Sequence, residues 1–126
     1  MPELHFKSAR AIAADIREKR LGAVEALDHF LARMEAHNPK LNAIVVTDLE
    51  RARADAAAAD AALAKGEIIG PLHGVPMTVK ESYDVQGLPT TWGDPAQIDN
   101  VAAEDALAVQ RLKAAGAVVF GKTNVP

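Results

Sequence analysis

Three observations predict an α/β fold for this 126-residue chain. Apolar residues recur at spacings of three and four through the first forty positions, which marks amphipathic helices. Two short apolar runs, Val75 to Lys80 and Ala117 to Phe120, have the continuous character of buried strands, and a helical pattern lies between them. A strand, a long excursion containing a helix and a second apolar strand describe a parallel pair joined by a crossover. Parallel sheets are covered on both faces, and the helices available here cover only part of one, so the chain reads as the opening of a larger domain. The expected architecture is a helical region over about residues 1–66, then the first strands of a mixed or parallel sheet covered by helices over about 67–126.

Ser8 is placed to cap a helix over 9–19, in which Ile12 and Ile16 are one turn apart and Arg17 and Arg20 put positive charge at the carboxyl end. Val24, Leu27, Leu31 and Met34, with Phe30 widening the stripe, predict a second helix that Asn38-Pro39 is expected to stop. Ala43 to Val46 is a short β-prone run, after which Asp48 stands at an N-cap. Leu49 to Lys65 is almost all alanine and charge, with Leu49 and Leu63 as the large apolar anchors, and predicts a helix on an outer surface that Gly66 ends. Gly70-Pro71 and His73-Gly74 form a turn into the strand 75–80, where Pro76 is tolerated near the start. Gly87-Leu88-Pro89 and Gly93-Asp94-Pro95 punctuate an irregular segment too long for a simple connector, a candidate functional loop. Asp105 is read as the start of a last helix through Ala115, closed by Gly116 ahead of the final strand.

Composition narrows the function. No apolar run reaches transmembrane length, and the amino terminus lacks the apolar stretch of a signal peptide, so a cytoplasmic location is the expectation. The absence of cysteine removes disulfides, thiolate metal sites and cysteine nucleophiles. A net charge of -3 leaves no electrostatic footprint for nucleic acid or an anionic membrane, which favours small-molecule or protein partners. His5, His29, His37 and His73 lie on different elements without metal-ligand spacing, so no metal or cofactor is expected, and His73 reads first as a structural turn residue. Gly116 to Thr123 spells the phosphate-loop pattern, but a helix precedes it and Ala-Val-Val-Phe fills it, the wrong setting for a nest of amides before a helix.

Lys80 is the candidate catalytic residue. On position alone it reads first as a strand-end lysine paired with Glu81 or solvent; yet it ends a strand carrying Val75, Met77 and Val79, where loss of hydration would lower its pKa towards that of a usable base. Its surroundings carry a further signal. Gly70-Pro71-Leu72-His73-Gly74-Val75-Pro76, then Val79-Lys80-Glu81, then Gly87-Leu88-Pro89-Thr90-Thr91-Trp92-Gly93 resemble, in order, the start of the amidase signature family. Asn38 to Ala43, Leu112 to Ala117 and Gly121-Lys122-Thr123-Asn124 extend the resemblance over essentially the whole chain.

The resemblance implies hydrolysis of a carboxylic amide by a serine nucleophile, helped by a second serine in a cis peptide and by a lysine matching Lys80. It also implies a small-molecule amide as substrate, no cofactor, and a homo-oligomer as one assembly. Both family serines and the glycine-rich turn of the oxyanion site fall beyond the position matching Pro126, and Ser8 and Ser82 match neither. The chain alone is therefore expected to be inactive. Glu81 stands where the family often has aspartate, and Trp92 is read either as lining an acyl pocket or as a loop anchor packed on the body. Two other readings stay open: a non-catalytic binding or assembly module, and the amidase-like component of a tRNA-dependent amidotransferase.

Overall fold

The computed structural model describes residues 3–126. A 3-10 turn at Leu4–Phe6 leads to α1 (Ala9–Arg17), α2 (Ala23–Leu41), β1 (Ile44–Thr47), α3 (Leu49–Ala64) and β2 (Pro76–Lys80); a 3-10 turn at Pro95–Gln97, α4 (Leu107–Ala114) and β3 (Val118–Thr123) complete it. The sheet order is β1-β3-β2, with β3 parallel to β2 and antiparallel to β1. The mixed sheet and the parallel pair agree with the sequence expectation. No helix among the described residues is long and apolar enough to cross a membrane.

Helix starts obey local chemistry. The Ser8 hydroxyl accepts from the Ala11 amide at 3.1 Å, the N-cap bond the sequence predicts. At α2 the cap position is Gly22, which has no side chain, and a distant carboxylate takes over. Asp60, on α3, accepts from the Ala23 amide at 2.7 Å and the Val24 amide at 3.1 Å. One residue thereby satisfies two orphan amides of α2 and docks α3 against it.

Pro39 does not stop α2 as expected. The helix runs on to Leu41, because a proline in the last turn removes a single hydrogen bond and the turn closes through the Asn42 amide on the Asn38 carbonyl at 2.7 Å. Asn42 ends the helix in the left-handed region at φ 49°, and the Asn38 side chain fastens the next two residues, accepting from the Ala43 and Ile44 amides and donating to the Ile44 carbonyl, each at 2.9 Å.

The alanine-rich α3 is more deeply set than expected. Ala52, Ala56, Ala59 and Leu63 form a buried stripe at helical spacing. The three alanines join Ala23, Leu27, Leu31, Val118 and Phe120 in the largest apolar cluster, which sits between the α2–α3 layer and one face of the sheet. Small side chains bury little area each, but they let the helix axis come close. A second cluster under α1 gathers Ile12, Ile16, Leu63 and Val75, and a third, of Val85, Leu88 and Val109 with Val46 and Val79 against it, lies beneath the long loop.

Asp105 does not cap α4. Its carboxylate accepts from the Gln86 amide at 2.8 Å and pairs with Lys113 at 3.0 Å, holding the long loop to the helix. Where the turn before β2 crosses the turn before β3, two glycines are needed for close approach. A Cβ on Gly70 would lie 2.6 Å from the Ala115 carbonyl oxygen, and one on Gly116, at φ +99°, would lie 2.6 Å from the His73 Cα. The crossing is fastened by the Leu72 amide on the Ala115 carbonyl and the Gly74 amide on the Gly116 carbonyl.

Candidate functional site

Lys80 occupies the carboxyl end of β2, opposite Thr123 of β3. The ladder continues one step further, with the Glu81 amide donating to the Thr123 carbonyl at 2.8 Å, and the Tyr83 amide closes a turn on the Lys80 carbonyl at 3.0 Å. Its main chain is therefore fixed. The side chain is exposed, and among the described residues its ammonium makes neither a hydrogen bond nor an ion pair. The burial inferred from the flanking apolar residues is thus not observed. β2 pairs on one side only, and Val79 turns its apolar side chain into the third cluster while its neighbour Lys80 stays in solvent.

The desolvated lysine is Lys122, two positions beyond the phenylalanine at which the sequence ended the last strand. β3 extends to Thr123, and Lys122 is fully buried within it. Its ammonium donates to the Pro89 carbonyl at 2.6 Å and to the Thr90 hydroxyl at 3.0 Å. Burial pulls the ammonium below its ordinary pKa, and the carboxylates of Glu81 and Asp84 partly restore it. Enclosed on all sides with two of its three donors bonded to the loop, Lys122 is not presented to a ligand. Desolvation singles out Lys122, whereas the open strand end presents Lys80.

Glu81 is the other charge buried here, 3% exposed. Oε2 accepts from the Thr91 amide at 2.9 Å and from the Thr91 hydroxyl, and Oε1 accepts from the Trp92 amide at 3.0 Å. Burial pushes the carboxyl up, but the Thr91 hydroxyl, the two amides and the Lys122 charge outweigh it and hold it below the ordinary glutamate value. The segment Pro89 to Trp92 is thus gripped residue by residue, by Lys122 at its first half and Glu81 at its second.

Trp92 is 70% exposed and sits in the left-handed region at φ 58°, so it is not an anchor packed on the body of this chain. Beside it, residues of the long loop, β1 and the chain after β3 enclose an open cleft of about 430 Å³. Its walls are mostly apolar, from Val45, Pro89, Pro95, Ile98 and Val125, with Glu81 at the base. His73 is buried and structural, as expected: Nδ1 accepts from the Ile69 amide at 3.0 Å, leaving Nε2–H to donate to the Ala59 carbonyl at 2.8 Å. The phosphate-loop spelling falls across the start and length of β3 and forms no anion nest.

The chain is similar to several known proteins. A family model described as Amidase matches residues 25–126. An indoleacetamide hydrolase of Bradyrhizobium diazoefficiens is 49% identical over 119 residues, covering 94% of this chain and 23% of that protein. An acylamidase of Rhodococcus erythropolis is 43% identical over 123 residues, covering 98% of this chain and 26% of that protein. A glutamyl-tRNA(Gln) amidotransferase subunit of Streptomyces coelicolor is 41% identical over 125 residues, covering 99% of this chain and 25% of its own length. Among solved structures, a bacterial aryl acylamidase of the amidase signature family matches with a TM-score of 0.91 at 29% identity, over 98% of this chain and 26% of that one. The chain spans about a quarter of the length of the curated relatives it matches. With the family match covering most of its length and the same fold in the solved relative, the chain belongs to the amidase family.

Proposed function

We propose that this chain forms the amino-terminal part of a single amidase domain, with the helical region to about residue 66 supporting a catalytic core that begins at about 67, and that Lys80 is its proton-transfer residue. One observation carries the reading. The lysine within the motif is fixed at the carboxyl end of a parallel strand, where α/β folds bind ligands, and its ammonium is open and unpaired among the described residues. The substrate is a small carboxylic amide.

The chemistry needs a nucleophile that these residues do not supply. Ser8 is occupied as a helix cap, and Ser82 lies outside either serine motif of the family. In the complete enzyme a serine attacks the amide carbonyl and its proton passes through the second serine to the neutral lysine amine. The lysine returns the proton to the departing nitrogen as the C–N bond breaks, and water then opens the acyl-enzyme. The 126-residue chain purified alone is expected to release no ammonia or amine from amides. Turnover by the pure chain that disappears in Lys80→Ala contradicts this reading.

The likeness to the amidotransferase component favours a second reading, a subunit that releases ammonia for a partner enzyme. Stoichiometric co-purification of partner chains with the complete protein decides for it. The net charge of -3 gives no support for direct tRNA contact by this segment.

A further inference from the structure

We propose that Glu81 and Lys122 act together as positioning residues that lock the segment Pro89 to Trp92, one wall of the apolar cleft, to the sheet end bearing Lys80. The proposal rests on the function assigned above for its catalytic consequence, but its structural part stands on its own geometry. Four consecutive residues are held by two side chains, one on β3 and one just after β2: Pro89 and Thr90 by the Lys122 ammonium, Thr91 and Trp92 by the Glu81 carboxylate. Both side chains are buried, whereas the residue they place, Trp92, is exposed.

The arrangement couples the wall to Lys80 through one peptide unit. Glu81 comes directly after Lys80, and its amide is tied to the Thr123 carbonyl, next to Lys122 on β3. Strand alternation sends adjacent side chains to opposite sides, so Lys80 is left open while Glu81 turns inward to the loop. The same segment borders the apolar cleft and carries Trp92 in the left-handed conformation, which an L-residue adopts only when its surroundings impose it. In that conformation the Trp92 amide donates to Glu81 Oε1.

The test compares the chain with Glu81→Gln, Glu81→Asp and Thr91→Val by amide hydrogen exchange. Glu81→Gln keeps the shape but turns an NH₂ towards amides that need an acceptor. Exchange at Thr91 and Trp92 is expected to rise roughly ten- to a hundredfold, while Val119 in β3 stays protected. Glu81→Asp restores part of the protection, and Thr91→Val, which removes the hydroxyl's bond to Glu81 and its acceptance of the Gly93 amide at 3.2 Å, raises Trp92 exchange to a smaller degree. Unchanged Thr91 and Trp92 exchange in Glu81→Gln overturns the clamp. If Glu81→Gln unfolds the chain, Thr91→Val decides, and unchanged Trp92 exchange there overturns it equally.

In the complete enzyme, Glu81→Gln lowers kcat/KM for an amide about tenfold or more, with recovery in Glu81→Asp. Kinetics that stay unchanged while exchange rises overturn the link to the site. An unsubstituted enzyme without amidase activity instead refutes the assigned function, and the exchange result still decides the clamp.

Discussion

Replacing Lys122 with methionine removes a buried ammonium while keeping an unbranched stem of similar length. Two charge-assisted hydrogen bonds are lost, to the Pro89 carbonyl and the Thr90 hydroxyl, each contributing about 1.5–3 kcal/mol. Against that loss of about 3–6 kcal/mol stands the relief of an ammonium's desolvation, and Glu81 keeps its three donors although it loses a nearby positive charge. Glu81 and Lys122 are not in direct contact, so the cost falls below that of breaking a touching buried pair, and a net destabilisation of about 2–3 kcal/mol is expected. Urea unfolding followed by circular dichroism measures it, and fluorescence of the single tryptophan, Trp92, tracks the loop in the same titration. The pH dependence gives a second reading. Native Lys122 has a depressed pKa, so between that value and the ordinary 10.5 the unfolded state binds more protons and wild-type stability rises with pH. The substituted chain lacks that rise, and its deficit widens across the window. A deficit under about 0.5 kcal/mol, or one that shrinks as pH rises, refutes the account of Lys122 as a desolvated ammonium hydrogen-bonded to the loop.

Two further outcomes are expected of the same structure. Asp60→Ala leaves the Ala23 and Val24 amides at the start of α2 without their acceptor and lowers stability by about 1–2 kcal/mol in the same urea assay; an effect within about 0.3 kcal/mol contradicts the cap. Glu81, whose carboxyl is held below its ordinary 4.5, contributes stability that is fully present above that value and is lost as pH falls through its native pKa. The stability difference between the chain and Glu81→Gln therefore narrows on acidification, and a constant difference from about pH 7 down to about pH 3 argues against it.

What could be read from the sequence was whatever depends on near neighbours. The stripe of Val24, Leu27, Leu31 and Met34 is set by helical spacing and appears in α2 as expected, as does the Ser8 cap. The family was legible because the motif around Lys80 is made of near neighbours, and the chain proves to be a family member. Features that depend on distant partners were not legible. Asp60 lies 37 residues from the amide it caps, and the acceptor and donor roles around Pro89 to Trp92 involve residues 10 to 33 positions away. The buried face of α3 escaped because alanine marks a core only when something approaches it closely. Pro39 was over-read: its effect depends on how much helix remains beyond it, and less than one turn did. The desolvation expected of Lys80 belongs to Lys122, since which strand lies in the middle of a sheet is a matter of topology rather than of local composition.

The central claim is that the exposed lysine, and not the buried one, carries the proton. Steady-state hydrolysis of a primary amide by the complete enzyme, measured for Lys80→Met beside the unsubstituted form, tests it most directly. Because Lys80 is solvent-exposed in the 126-residue chain, the substitution leaves that chain's unfolding curve within about 0.5 kcal/mol, while kcat/KM of the complete enzyme falls by about a thousandfold or more. An enzyme with Lys80→Met that unfolds normally and retains kcat/KM within about tenfold contradicts the account.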